Sequence, residues 1–130
     1  MVVDASVLVT ALGEGGATGA VVREALRGGT DVHAPHLIDV EVTHALRGMA
    51  RRGVVDAAEA GDILAAALIF PLTRWGLLGL MPRAWELRDS VSAYDGAYVA
   101  LAEALDAELL TLDARLERAS GPTCRIRVPG

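Results

Sequence analysis

A chain of 130 residues makes one domain. At 52% hydrophobic but only 4% aromatic, its core must be built from Ala, Val, Leu and Ile, which points to helices packed on a sheet. A net charge of −5, with 12 basic residues that are all arginine, excludes nucleic-acid binding by overall charge. A polyanion would have to be met locally, by Arg side chains or a bound metal.

The elements follow in chain order. Val2-Val3 is a short buried strand that ends at Asp4-Ala-Ser6. Val7 to Leu12 reads as a helix stopped by glycines, and Thr18 to Leu26 as a second helix closed by Gly28-Gly29. Val32 to Ala34 is a second strand. From His36 to Arg52, Ile38, Val42, Ala45, Leu46 and Met49 recur at helical spacing. Ala57 to Ile69 is a helix with Asp56 as N-cap, and Phe70 to Arg74 is extended. Pro82 opens a helix to Ser90. Ser92 to Leu105 is a strong helix, Glu108 to Leu112 an apolar strand, Asp113 to Ala119 a short helix, and Ile126 to Val128 a last strand. Strands that alternate with helices, each short and apolar, predict an α/β fold with a parallel sheet covered on both faces.

Other features bear on location. Cys124 is the only cysteine, so no internal disulfide can form and a reducing compartment is expected; in its apolar strand it reads as a packed residue. No basic stretch leads into a long apolar run at the N-terminus. The longest apolar run, Ile63 to Leu72, contains Pro71 and is too short to span a bilayer, so a cytoplasmic protein with no membrane partner is expected. The mean hydropathy of +0.37 leaves apolar surface for a partner or a dimer, and Ile63 to Leu80 is the best candidate segment for such a contact.

The acids carry the chemistry. Asp4 follows the first strand and Asp113 follows the strand ending at Leu112, so both project into one crevice if those strands are parallel neighbours. Glu41 lies within a helix, between Ile38 and Ala45, at the border of the apolar stripe. Asp95 sits in the first turn of its helix and reaches the same crevice. Asp39 points away and reads as a first-turn acid favoured by the helix dipole.

Each acid also has a structural reading. Asp4 or Ser6 caps the first helix, Ser92 with Asp95 makes a capping pair, and Asp113 caps the last helix. Glu41 is the hardest to explain that way, because an acid on a stripe's border is costly without a partner. At about 4 Å and an effective dielectric near 20, each like-charged pair costs roughly 4 kcal/mol, so a cation is needed among them or some must protonate. All-oxygen ligands suit magnesium or manganese. His33, His36 and His44 make no zinc pattern with one cysteine. Magnesium-using receiver domains and haloacid-dehalogenase-type phosphatases also place Asp after a strand, but both use a lysine, which this chain lacks.

Together, Val2-Val3-Asp4-Ala-Ser6, the helix carrying Glu41, Ala93-Tyr94-Asp95 with Tyr98-Val-Ala-Leu-Ala-Glu, Leu110-Thr111-Leu112-Asp113 and Trp85-Glu-Leu-Arg88 resemble the PIN-domain family, and within it the VapC-type toxins. The resemblance covers essentially the whole chain, 1–130. It implies a sheet of order 3-2-1-4-5, Mg2+- or Mn2+-dependent RNA cleavage by an activated water that leaves a 5′ phosphate, a homodimer, and a cognate VapB-like antitoxin. Residue by residue, it implies Asp4, Glu41, Asp95 and Asp113 as the acidic quartet that binds metal and cleaves, with Ser6 and Thr111 as supporting hydroxyls. Many relatives carry a further acid after the last Asp. Here Ala114, Arg115 and Leu116 stand there, which leaves a second metal without that ligand. Arg88 and Arg115 are candidates to hold RNA phosphate, against the reading of each as a solvated or ion-paired surface arginine. Two alternatives to a toxin remain: a PIN-like domain that binds RNA or protein without cutting, and a PIN nuclease of RNA processing that has no antitoxin.

Overall fold

The computed structural model describes residues 1–28 and 31–130. Five strands form one parallel sheet: β1 (Val2–Val3), β2 (His33–Pro35), β3 (Thr73–Trp75), β4 (Leu109–Leu110) and β5 (Ile126–Arg127), in the order β3-β2-β1-β4-β5. The central register pairs Val2 with His33 on one side and with Leu109 on the other. These central residues are fully apolar because both faces of the sheet are covered: Val2, Val3, Ala34, Leu109 and Leu110 are wholly buried.

The helices are α1 (Ala5–Gly13), α2 (Ala17–Arg27), α3 (Leu37–Arg51), α4 (Ala57–Ile69), α5 (Met81–Glu86), α6 (Ala93–Ala104) and α7 (Ala114–Glu117), with a 3-10 turn at Leu78–Leu80. α1 packs on α2, α3 and α4; α6 lies across β1, β2 and β4 and packs on α5. Gly96 permits that last contact, since a Cβ there would stand 3.2 Å from Ala84 Cα and Cβ. Gly19 is more tightly constrained: its Cβ would fall 2.0 Å from the Glu14 carbonyl oxygen.

Predicted and observed elements agree in kind and order and differ at their ends. The extended segment expected from Phe70 becomes a strand only at Thr73, because the Leu72 amide donates back to the Phe70 carbonyl in a tight turn. The helix expected to begin at Pro82 begins at Met81 and stops at Glu86, where Leu87 to Ser90 turn away. The last helix ends at Glu117 rather than Ala119. Of the Gly28-Gly29 stop, Gly28 caps α2, while Gly29 lies outside the described residues. Among the described residues, no single helix is long and apolar enough to cross a membrane.

Candidate active site

The carboxyl ends of β1, β2 and β4 open on a crevice of about 440 Å³ lined by Asp4, Ser6, Glu41, Asp95, Tyr98, Leu112 and Asp113. This is where an open α/β sheet gathers its ligands, because side chains leave the strand ends there and helices begin. The topology therefore brings the four predicted acids together from four separate segments.

Asp4 is held by short-range chemistry. It caps α1 through the Val7 amide, which donates to Oδ1 at 3.1 Å. The Ser6 hydroxyl donates to the same oxygen at 2.5 Å, and the Thr111 hydroxyl to Oδ2 at 2.5 Å. Capping and site geometry are one arrangement here, so the two sequence readings of Asp4 coincide. Thr111 is completely buried and also accepts from the Asp113 amide, which ties the ends of β1 and β4 together. The Ser6 oxygen in turn accepts from the Leu112 amide.

Burial pushes the Asp4 carboxyl above its usual range, and the hydroxyl and amide donors pull it back only in part. Glu41 is raised chiefly by burial and further by the negative charges of Asp95 and Asp4, while the Tyr98 hydroxyl facing it opposes the rise. Asp95 is raised by burial and by the charges of Asp4 and Asp113, while the Ser92 cap and Arg115 oppose the rise. Asp113 behaves differently. The Arg115 amide donates to it, its guanidinium lies 3.3 Å away, and the carboxyl is held low. Its capping of α7 is real, so its structural and site readings also coexist.

Arg115 lines a cleft that continues the crevice past Ser90, Ser92, Asp95 and Asp113. Arg88 is not brought to the crevice wall. Its guanidinium stacks 4.5 Å from the centre of the exposed Trp85 ring and donates to the Trp85 carbonyl. Asp39 pairs at 2.8 Å with Arg74 of β3, a long-range bond that a helix-dipole reading of this residue does not contain. Tyr98 belongs to the site and was legible only as part of a motif. The signal was its position three residues after Asp95, on the same face of α6.

The donor set fits a hard divalent cation. It is all oxygen, negatively charged, and free of histidine and cysteine, and three of its members carry raised carboxyls that a cation would bring down. Among the described residues, no group of three or more acids, histidines or cysteines is already closed around one point. Magnesium keeps much of its water and needs only one or two protein carboxylates, so an open crevice suits it.

A family model described as PIN domain matches residues 1–122. Ribonuclease VapC9 of Mycobacterium tuberculosis is 40% identical over 129 residues, 98% of this chain and 97% of its own length. The chain belongs to the PIN-domain family, among the VapC ribonucleases. PAE2754 from Pyrobaculum aerophilum shares the fold with a TM-score of 0.70 at 26% identity, over 96% of this chain and 81% of that one. VapBC2 from Rickettsia felis, solved bound to a DNA fragment from its promoter, has the same fold with a TM-score of 0.69 at 13% identity, over 99% of this chain and 98% of that one. This VapC-type PIN domain has an acid at the end of β1, on α3, at the start of α6 and after β4.

Proposed function

We propose that this chain is a metal-dependent endoribonuclease, the toxin half of a VapBC-like toxin–antitoxin module. One observation carries the reading: Asp4, Glu41 and Asp95 converge on one crevice with their carboxyls raised, and no arginine among the described residues pairs with them. An arrangement that costs stability in the protein alone needs a function to explain it.

Asp4, Glu41, Asp95 and Asp113 are the residues to hold Mg2+ or Mn2+. When bound, such an ion activates water and offsets the charge that builds up on a phosphodiester during displacement. The protein's own residues prepare for it. Ser6 and Thr111 hold both oxygens of Asp4 in place, so the carboxylate does not reorganise on loading. Thr111 also fixes the backbone from which Asp113 projects. Arg115 lines the cleft that continues the crevice and can meet an RNA phosphate that a net-negative protein would otherwise repel. Arg88, stacked on Trp85, is the more distant candidate for that role.

A cognate antitoxin and a second copy of the chain are the partners of this reading. Leu68, Ile69 and Leu78, in the predicted contact segment, are 52, 84 and 89% exposed and offer apolar surface for them, while Ile63 and Ala67 of the same segment are core. A reducing cytoplasm suits the half-buried Cys124, whose thiol burial holds protonated.

The test is cleavage of total cellular RNA by the purified chain with Mg2+ or Mn2+ against EDTA, beside Asp4→Asn and Asp95→Asn. Metal-dependent cutting that both substitutions abolish is expected. No cutting, together with no rise in melting temperature on adding metal, would favour a PIN-like binding domain instead.

A further inference from the structure

Among the described residues, one buried side-chain polar atom has no hydrogen-bond partner: the hydroxyl of Tyr98. Tyr98 is 1% exposed and is the bulkiest of the fully buried side chains. Its ring belongs to the core, which a phenylalanine ring would fill equally well. Its hydroxyl ends at the crevice beside Asp4, Glu41 and Asp95. A buried hydroxyl without a partner destabilises the fold, so its presence calls for a reason outside packing.

The neighbouring donors are already assigned. Asp4 receives the Ser6 and Thr111 hydroxyls and the Val7 amide. Asp113 receives the Arg115 amide and guanidinium. Asp95 is anchored through its backbone, whose amide donates to Ser92 Oγ at 3.1 Å, and Ser92 also helps hold its carboxyl down. The Glu41 carboxylate, on α3, has no completed hydrogen bond from any donor among the described residues, and the hydroxyl that faces it is that of Tyr98. The Tyr98 hydroxyl stands close enough to the Glu41 carboxylate to pull that carboxyl down as a donor, yet it falls short of the geometry of a completed hydrogen bond. Glu41 sits on α3 and Tyr98 on α6, so a small movement of either side chain into the crevice would close it.

We propose that Tyr98 is the positioning residue for Glu41, its hydroxyl donating to the Glu41 carboxylate when that carboxylate helps hold a divalent cation in the crevice. The proposal rests on the metal-dependent reading above. Ser6 and Thr111 orient Asp4 before loading, whereas Tyr98 completes its bond on loading and makes Glu41 the adjustable ligand. In the metal-free protein the hydroxyl waits at a cost to stability; in the loaded protein that cost is recovered as affinity. Metal-ligand acids are oriented by such outer partners, and losing one weakens metal binding about 10- to 100-fold.

Tyr98→Phe separates this role from packing, because it keeps the ring and deletes only the oxygen. With the full chain, Mn2+ binding is measured by calorimetry and the metal-free melting temperature by circular dichroism. The expected result is a metal-free protein at least as stable as the wild type and an Mn2+ affinity about 10-fold weaker or more. In a Glu41→Gln background, Tyr98→Phe should add little further loss, since the tyrosine acts through the glutamate. Wild-type affinity in Tyr98→Phe would overturn this inference alone. So would a lowered metal-free melting temperature, which would make the hydroxyl a structural bond, or full additivity with Glu41→Gln. A wild-type chain that binds no Mn2+ would overturn the metal reading and this inference with it.

Discussion

At the amino ends of the strands, the two half-buried glutamates Glu108 and Glu103 have each found an arginine. Glu108, just before β4, is held by Arg127 at 2.7 Å and Arg125 at 3.2 Å. Glu103, near the end of α6, takes Arg83 at 2.7 Å and the Thr123 amide at 2.8 Å, and its carboxyl is pulled below the usual range chiefly by Arg83. At the carboxyl ends of the same strands, Asp4, Glu41 and Asp95 have no such partner among the described residues, and burial pushes all three up. The two ends use the same residue type, and arginine is available to both. The difference shows that the unmatched end is not a shortage of cations in the sequence but a placement that keeps them away. Charge is neutralised where the acids serve the fold and left open where a ligand can complete it.

The largest effect should come from the open end. Asp4→Asn and Asp95→Asn should each reduce RNA cleavage roughly 100- to 1000-fold, the scale for removing one fixed electrostatic group from a site. Glu103→Gln, at the paired end, should leave cleavage near the wild-type rate. Equal losses at both ends would break the distinction.

Stability against pH should then run in opposite directions. The folded carboxyls of Asp4, Glu41 and Asp95 are raised above ordinary values of 3.8, 4.5 and 3.8, so their contribution is complete below about pH 3.8 and is lost as pH climbs through the raised values. Metal-free Asp95→Asn should therefore melt at or above the wild-type temperature at pH 7, with the difference closing in acid. Glu103 is lowered from 4.5, so its contribution is present above pH 4.5 and lost as pH falls through the lowered value. Glu103→Gln should lower the melting temperature by about 3 °C at pH 7, a shift on the scale of one weakened interaction in a chain of this size, and the deficit should shrink in acid. Thermal melts at a series of pH values in EDTA would check both slopes.

A smaller effect sharpens the boundary between the two regimes. Asp113 lines the crevice yet is paired with Arg115, as the acids of the other end are. Arg115→Ala should let the Asp113 carboxyl rise toward 3.8, since the Arg115 side chain contributes to its lowering. The Arg115 amide and its capping bond remain, so the rise should be incomplete. Carbon-13 titration of the carboxyl resonances would read it. An unmoved Asp113 would place all its lowering in the helix cap.

Much of this was legible in the chain itself. The alternation of short apolar strands with helices predicted a covered parallel sheet, and Asp4, Asp95 and Asp113 stood out because each follows a strand or opens a helix. Those signals are local: pleat, helical period and cap are written within a few residues of one another. Glu41 was visible through a local conflict, an acid on an apolar border. Other features depended on segments far apart in sequence. Arg74 reaching Asp39, Arg83 reaching Glu103 and Thr111 reaching Asp4 cannot be inferred from spacing, because each partner is chosen by which strands and helices become neighbours. The same holds for Arg88, which stacks on Trp85 instead of reaching the crevice.

What the sequence determined by itself was the set of elements and the chemistry on offer at the crevice: carboxylate oxygens, no lysine, no histidine or cysteine pattern. What tertiary structure alone decided was which acids would be neutralised. Burial and distance set a carboxyl's charge, and both come into existence only when β1 settles between β2 and β4 and α6 closes over them.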